Sequence, residues 1–273
     1  PQAGWQEQRR KERLMGHGKL RKFAENETFA CLVQPATSEV LGVDHPLKGR
    51  WASDFFHNDN PIVLELGCGK GEYTVDLAMR NPSINYIGVD IKGARLWTGA
   101  RKATEAAMSN VGFLRTRIEF ITSLFAPGEV SQIWLTFSDP QIGREKKRLT
   151  SPLFLERYRR FVAEGGIINL KTDSRYLHEY SYAIARCNNL KVLARTTDLY
   201  ATAPEALGDG LSARELSSLY EVQTFYEKHF LAQGYPITYL AFVLDHEGAY
   251  LSPEWDEDRW KDEDHHAFAV QIH

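Results

Sequence analysis

The sequence predicts an α/β fold in which helices cover both faces of a doubly wound, mostly parallel sheet. From Pro61 onward, short apolar runs alternate with stretches of helical period. The run Ile62–Leu66 ends in a cluster of glycines, as a buried parallel strand followed by a tight turn should. Alternating strands and helices imply right-handed crossovers, which place helices over both faces of the sheet.

The order of the elements follows from the same patterns. Ser151 and Pro152 predict a helix start, because a hydroxyl caps the first turn and proline fits the first helical position. Gly165 and Gly166 then end that helical region. We expect strands at residues 62–66, 84–89, around 113, 133–137, 167–170, 190–194 and 237–244, and helices after the glycine cluster to about 79 and at 92–109, 152–162, 176–186 and 216–232.

The chain is interpreted as one domain with two appendages. Residues 1–60 show no clear period beyond a polar opening stretch and are predicted to form a basic, partly irregular N-terminal arm. Residues 61–245 form the predicted domain, and residues 246–273 an acidic C-terminal tail. The sequence leaves open whether this tail is disordered or folds back on a basic face.

Composition excludes several classes of protein. The chain is 43% hydrophobic and 25% charged, which is typical of a soluble globular protein. The sequence contains no run of about 18 apolar residues, the length that a membrane-spanning helix needs. Cys31, Cys68 and Cys187 lie far apart, which argues against zinc or disulfides and fits a reducing cytoplasm. We therefore expect no metal and no membrane, and the sequence does not decide between a monomer and a homodimer.

Basic residues form two clusters, although the formal net charge is −3. Seven of them lie between Arg9 and Lys22. The second cluster comprises Arg144, Lys146, Lys147, Arg148, Arg157, Arg159 and Arg160. A phosphate-binding face depends on the local field, so the total charge does not exclude RNA as a partner, while a solvated surface is the alternative for each cluster.

The residues that follow the first two strands predict a nucleoside-containing cofactor. Ligands of doubly wound sheets bind outside the carboxyl ends of the strands. Gly67 and Gly69 allow close backbone approach, and Asp90 could accept both ribose hydroxyls. Glu72 occupies the third glycine position of a dinucleotide fingerprint, where it would repel a pyrophosphate but tolerate a zwitterionic amino acid. With Glu65 available to an ammonium group, the combination favours S-adenosylmethionine.

Simpler structural interpretations of the same residues stay open. Gly67-Cys68-Gly69 could be only a tight turn and Asp90 only a helix cap, although the combination of these residues favours the cofactor.

Further motifs resemble those of the bacterial tRNA (guanine-N7)-methyltransferases. They are Phe137-Ser138-Asp139-Pro140, Lys146-Lys147-Arg148-Leu149-Thr150, Gly165-Gly166, Lys171-Thr172-Asp173 and Thr224-Phe225-Tyr226-Glu227, followed by Gly234 and Pro236-Ile237. The likeness covers most of Pro61 to Leu244, with more near Met15–Leu20. It implies a seven-stranded, Rossmann-like class I methyltransferase fold whose last strand is antiparallel, acting in the cytoplasm on guanine 46 of the tRNA variable loop.

The resemblance also implies roles for individual residues. Asp139 corresponds to the catalytic aspartate. The positions that would bind S-adenosylmethionine are Glu65, Gly67, Gly69, Asp90, Arg117, Ile118 and Asp139. Those that would hold the substrate are Asp173, Thr224, Tyr226 and Glu227, and those that would meet the RNA are Arg144, Lys146, Lys147 and Arg148.

The chemistry of guanine agrees with these roles. N7 carries a lone pair and no proton, so the transfer needs placement of N7 about 3–3.5 Å from the methyl group rather than a strong base. Methylation leaves a cation, which an acid such as Asp139 stabilises. Guanine's N1–H and amino group are donors, for which Asp173 and Glu227 are acceptors, and the base must leave its stack. Phosphate contacts from the basic loop would position the tRNA.

Three features depart from the family pattern. Gln141-Ile142-Gly143 follows Asp139-Pro140, where relatives commonly carry tryptophan and further basic residues. Arg117 occupies the place of an acid or amide and cannot accept a hydrogen bond from the adenine amino group. We expect a backbone carbonyl near Arg117 or Ile118 to accept it instead. Pro1–Leu14 precede the usual start of the family, so that Met15 is a candidate start.

Other interpretations remain at this point. Asp139-Pro140 could be only a turn, Asp173 a helix cap, and Phe225 or Tyr226 core residues. A methyltransferase acting on another RNA, a protein or a small molecule is an alternative function. A non-catalytic RNA-binding protein that keeps the fold is another.

Overall fold

One eight-stranded sheet organises the chain. The structure is a computed structural model that describes residues 2–264. The strands are β1 (Leu32–Val33), β2 (Ile62–Leu66), β3 (Asn85–Asp90), β4 (Val111–Arg115), β5 (Val130–Thr136), β6 (Val162–Thr172), β7 (Val192–Thr196) and β8 (Thr238–Val243). Their order across the sheet is β1-β4-β3-β2-β5-β6-β8-β7.

The sheet is parallel except at β8, which runs antiparallel to both β6 and β7. The doubly wound α/β fold with an antiparallel last strand is therefore confirmed. The expected strand count was one too low, because β1 has only two residues and adds to the edge by pairing with β4. A two-residue strand is too short to show a period in the sequence.

Helices connect and cover the strands. They are α1 (Gln2–Asn26), α2 (Glu72–Arg80), α3 (Gly93–Glu105), α4 (Pro152–Tyr158), α5 (Arg175–Cys187), α6 (Ala213–Glu221), α7 (Phe225–Ala232) and α8 (Glu257–Asp262). The chain winds from β2 through β3 to β4 on one side and continues through β5 and β6 on the other. The switch in direction opens a crevice between the carboxyl ends of β2 and β5, where such folds bind ligands.

Apolar side chains alternate between the two faces of the sheet. Leu64 and Leu66 pack into the cluster on one face, whereas Val63 belongs to the cluster on the other. Because both faces of the sheet are buried, β2 is apolar except for Glu65.

The first 60 residues contain more regular structure than their sequence indicates. Helix α1 is 25 residues long, and residues 4–17 are exposed. A solvent-surrounded helix needs no apolar stripe, so its sequence shows none. Its end is fixed to α3 by hydrogen bonds from Trp97 to Glu25 and from Asn26 to the Gly93 carbonyl, each 2.9 Å long.

Trp51 joins the N-terminal segment to the core of the domain. It begins a π-helical turn, Trp51–Phe56, and is fully buried. Its ring stacks on Phe125 at 5.2 Å, and its indole N–H donates to the Leu124 carbonyl at 2.8 Å. We infer that residues 32–60 belong to the same packed unit as the rest of the sheet.

The acidic C-terminal segment folds back on the domain as far as the structure describes it. The Leu251 N–H donates to Asn188 at 2.7 Å, and Trp255 packs edge-on against Tyr176 and Tyr180. Residues 265–273 of the expected tail lie outside the described residues.

The helix expected over residues 216–232 is two helices, and a buried lysine explains the break. Lys171 of β6 is fully buried, and its ammonium donates to the carbonyls of Leu219 and Val222 at 2.9 Å each. These bonds satisfy carbonyls at the end of α6. Thr224 then caps α7 by accepting a hydrogen bond from the Glu227 N–H.

Lys171 also forms an ion pair with Glu227, 2.9 Å from Nζ to Oε1, with both side chains fully buried. Burial lowers the pKa of Lys171 and raises that of Glu227, and their mutual attraction opposes both shifts. The pair thus fixes α7 on the carboxyl end of β6.

Replacing Lys171 by alanine is expected to lower the free energy of unfolding by about 3–5 kcal/mol, because Glu227 would stay buried without its partner. Urea titration of the purified variant measures this loss. The exposed Lys228 is the matched control, and Lys228→Ala should cost no more than about 0.5 kcal/mol. Equal losses in the two variants would contradict the role given to the buried pair.

Candidate active site

The glycine loop after β2 is fastened to the end of β3. Gly67 and Gly69 have φ values of +71° and +56°, which favour glycine. The Gly67 N–H donates to the Val89 carbonyl at 2.8 Å, and the Gly69 N–H to Asp90 Oδ2 at 2.9 Å. A Cβ added to Gly67 would meet no atom within 4 Å, so the backbone here borders open space.

Asp90 organises this edge of the site. Besides the Gly69 N–H, its carboxylate accepts the Lys92 N–H at 2.9 Å, just before α3. Each oxygen therefore holds one backbone group and keeps a further lone pair for a ligand. Asp90 is thus more than a helix cap, since it links the glycine loop to the start of α3.

Glu65 is a buried carboxylate beneath the glycine loop. Thr74 of α2 donates to its Oε1 at 2.5 Å, and Thr136 at the end of β5 donates to its Oε2. Burial raises the pKa of Glu65 from 4.5 to about 7, with the hydrogen bonds from both threonines opposing and the charge of Asp90 reinforcing the shift. The side chain is 3% exposed, so it forms the floor of the site.

A cleft of about 290 Å³ lies beside the glycine loop. Its lining includes Gly67, Asp90, Thr116, Arg117, Ile118 and Glu119. The Arg117 carbonyl, expected to accept a hydrogen bond from an adenine, already accepts from the Thr116 hydroxyl and the Phe120 N–H, both at 3.1 Å. Glu119, which the sequence analysis did not single out, adds a carboxylate to the same wall.

Asp139 lies on a constrained turn directly after β5. Phe137 has a φ of +51° and Gln141 a φ of +50°, conformations that non-glycine residues rarely adopt and that cost of order 1–3 kcal/mol each. The Gln141 N–H donates to Asp139 Oδ1 at 2.9 Å, and Asp139 itself is exposed. The turn therefore presents a carboxylate at the crevice between β2 and β5.

The four expected substrate-binding residues are placed differently from one another. Tyr226 is 50% exposed at the start of α7, and its neighbour Phe225 is 70% exposed, so neither is a core residue. Asp173 at the end of β6 is 2% exposed, and Thr224 serves as the α7 cap. Tyr226 is the one that faces solvent.

Glu227 does not have the placement that was expected of it. It is fully buried, paired with Lys171 and hydrogen-bonded by the Tyr200 hydroxyl. Its second oxygen, Oε2, has no hydrogen-bond partner among the residues that the structure describes. The contacts of Oε1 hold α7, and with it Tyr226, in position, and a contact of Glu227 with guanine stays a prediction.

The basic loop after Asp139 also divides into two kinds of residue. Arg144, Lys146 and Lys147 are exposed, as contact with a phosphate backbone requires. Arg148 is 1% exposed, and its guanidinium lies over the rings of Tyr176 and Tyr180. Because these side chains enclose Arg148, the expected RNA contact from this residue is incompatible with the structure.

Two further absences concern the part of the chain that the structure describes. Over residues 2–264, no helix is both long and apolar enough to cross a membrane. The same residues contain no group of three His, Cys, Asp or Glu side chains that could hold a metal ion.

Sequence reasoning missed several residues that build the site. Thr74 and Thr136 hold Glu65, but a threonine near a strand end or in a helix is too common to stand out. Lys171 did give an indication, because a lysine within an otherwise apolar strand must find a buried partner. Glu257, which lies 109 residues from its partner Arg148, gave none.

The neighbouring ends of β2, β3 and β5 carry a glycine loop, a carboxylate placed to accept ribose hydroxyls, and an exposed acid on a constrained turn. Together with the doubly wound sheet, this arrangement defines an α/β methyltransferase. A family model described as a putative methyltransferase matches residues 59–233.

Curated relatives specify the family further. A tRNA (guanine-N(7)-)-methyltransferase of Bacteroides fragilis (strain YCH46) is 48% identical over 240 residues, covering 88% of this chain and 91% of that protein. The enzyme of the same name from Bacillus subtilis (strain 168) is 36% identical over 206 residues, with 74% and 90% covered. The solved structure of the 16S rRNA methyltransferase KamB is 16% identical, covers 71% of this chain and 89% of that chain, and has a TM-score of 0.49. The chain belongs to the tRNA (guanine-N7)-methyltransferase family.

Replacing Glu65 by glutamine tests the electrostatics of the floor. A raised pKa means that the folded state prefers the protonated acid, so this contribution to stability is complete below pH 4.5 and lost as pH rises through about 7. The free energy of unfolding of the wild type, relative to Glu65→Gln, should therefore fall over this range by on the order of 3 kcal/mol. Urea titrations from pH 4.5 to 8.5 measure the difference.

The exposed Glu27 provides the control, since Glu27→Gln should differ from the wild type by a nearly constant amount across the range. If the Glu65→Gln difference were equally constant, the pKa of Glu65 would not be raised by burial.

Proposed function

We propose that the protein transfers the methyl group of S-adenosylmethionine to N7 of a guanine in tRNA. The observation that carries the proposal is that the glycine loop, Asp90 and Asp139 lie at the carboxyl ends of the neighbouring parallel strands β2, β3 and β5. The names of the curated relatives support tRNA as the substrate. We further propose nucleotide 46 of the variable loop as the target, and the cytoplasm as the place of action.

The cleft fits the proposed cofactor. Asp90 offers acceptors for the ribose hydroxyls, and the open space beside Gly67 admits a ligand next to the backbone. Glu119 provides the acceptor that the adenine amino group needs and that Arg117 cannot offer. When bound, the cofactor supplies an electrophilic methyl group on a sulfonium.

The protein's own task in this reaction is mainly placement. Guanine N7 has no proton to remove, so no side chain needs to act as a strong base. Asp139 lies on the turn after β5, the strand next to β2, and would stabilise the positive charge that develops on the base. The backbone strain at Phe137 and Gln141 is consistent with a carboxylate held in one orientation.

Exposed cationic and aromatic side chains after β5 and at the start of α7 are suited to contact the tRNA. Arg144, Lys146 and Lys147 form a cationic loop close in sequence to Asp139 and are suited to phosphate contacts, which position the substrate without selecting its sequence. Tyr226 and Phe225 present rings at the start of α7, and extruded bases stack on such rings.

Replacing Asp139 by alanine should lower turnover on unmodified tRNA at least about a hundredfold, the scale expected for one preorganised charged group. Affinity for tRNA should stay nearly unchanged, because phosphate contacts dominate binding. Single-turnover transfer of labelled methyl groups and a filter-binding titration separate the two quantities.

Asp44→Ala is the control. Asp44 is exposed, pairs with Lys48 and is none of the proposed site residues, so this variant should keep the turnover of the wild type. Full turnover in Asp139→Ala would show that another carboxylate stabilises the charge.

A further inference from the structure

The C-terminal segment makes specific contacts with the loop that carries Asp139. We call residues 252–264 the C-terminal strap; it lies outside the range that the family model matches. Glu257, the first residue of α8, accepts hydrogen bonds from the Gly143 N–H, from Arg148 Nη2 and from the Tyr176 hydroxyl. One carboxylate thus joins the strap, the loop and helix α5.

Arg148 connects Glu257 to the turn that carries Asp139. Its Nε donates to the Pro140 carbonyl at 3.0 Å and its Nη2 to the Gln141 carbonyl at 3.2 Å. These are the two residues that follow Asp139. A guanidinium has several donors in a fixed plane, so it can hold both carbonyls and Glu257 at once.

Aromatic rings enclose the same guanidinium. The Cζ atom of the Arg148 guanidinium lies 4.8 Å from the ring centre of Tyr176 and 4.5 Å from that of Tyr180. Trp255 of the strap packs edge-on against both tyrosines, with ring centres 5.4 and 5.5 Å away. The strap therefore completes the enclosure that keeps Arg148 away from water.

Two further contacts extend the strap along the site. The Ser252 hydroxyl donates to Glu145 of the basic loop at 2.5 Å. At the other end, Asp264 is fully buried and accepts a hydrogen bond from the Ser174 hydroxyl at 2.5 Å. Ser174 caps α5 and directly follows Asp173, so the strap reaches both the Asp139 loop and the Asp173 turn.

We propose that the C-terminal strap positions the catalytic loop for methyl transfer, with Glu257 as the positioning residue that acts through Arg148 on Asp139. The inference rests on the proposed transfer to tRNA, since the loop carries both Asp139 and the cationic side chains. Glu257 touches neither cofactor nor base in this account. Its effect is to restrict the loop to one conformation before tRNA binds, so that less ordering is required at that moment.

Glu257→Ala in the full chain tests the proposal by two independent readouts. Tryptic cleavage after Arg144, Lys146 and Lys147, followed by mass spectrometry, should become about tenfold faster, because the loop must unfold locally to be cut. Turnover on tRNA should fall about tenfold to a hundredfold, the scale of a misplaced reacting group, while affinity for S-adenosylmethionine stays as in the wild type.

Two variants serve as comparisons. Glu257→Gln keeps the acceptor for the Gly143 N–H and the Tyr176 hydroxyl but loses the charge, so both effects should be intermediate. Glu254→Gln changes the same type of residue at an exposed position of the strap and should match the wild type. Melting temperatures of all variants show whether any loss of turnover follows from global unfolding.

Wild-type cleavage and turnover in Glu257→Ala would overturn the proposal. So would a loss of turnover that parallels losses of cofactor affinity and melting temperature, since Glu257 would then be a general stabilising residue. The cleavage assay requires no activity, so it distinguishes a failed strap from a failed function: a wild type without transfer to tRNA refutes the function, whatever the cleavage rates.

Discussion

A single buried carboxylate, Glu65, connects the three elements between which the crevice opens. It belongs to β2 and is held by hydroxyls from α2 and from the end of β5. Burying an acid is unfavourable unless it is hydrogen-bonded or protonated, and here its pKa of about 7 reflects both burial and those bonds. The glycine loop begins two residues later, at Gly67, so its position depends on how β2 is anchored.

Two buried cations have a related role at the same edge of the sheet. Lys171 ends α6 and pairs with Glu227 of α7, and Arg148 holds the turn after Asp139. A protein that binds a polyanion would be expected to expose such side chains. These two side chains order the backbone around the site instead, whereas Arg144, Lys146 and Lys147 are exposed and are the residues proposed to contact tRNA.

The parts of the fold that could be predicted are those with a local pattern. The apolar run of β2, the proline at the start of α4 and the glycines after β2 each have a local physical cause, and the structure has these elements where they were expected. The Ser151 hydroxyl, which was expected to cap the first turn of α4, makes no such hydrogen bond. The break between α6 and α7 could not be predicted, because its cause is Lys171, some 48 residues away from Leu219. Helix α1 lacks an apolar stripe, and β1 is too short for one.

The site shows the same division. Gly67, Gly69, Asp90 and Asp139 could be predicted as candidates because each lies at or just after the end of a strand, and parallel strands end at the same edge of the sheet. Burial of Arg148 and Glu227 could not be foreseen, since it depends on Tyr176, Tyr180, Tyr200 and Trp255, brought in from distant parts of the chain. The residue type shows that a side chain is charged, but only the contacts made in the folded chain show whether that charge is buried or exposed.

The most direct test of the account uses two tRNA transcripts that differ at nucleotide 46. One carries guanosine there and the other 7-deazaguanosine, which lacks the N7 lone pair and keeps the same Watson–Crick edge. With labelled S-adenosylmethionine, the protein should methylate the first transcript at this guanine alone and leave the second unmodified, while binding both with similar affinity. Equal methylation of the two transcripts, or a methyl group mapped to another nucleotide of the first, would contradict the account.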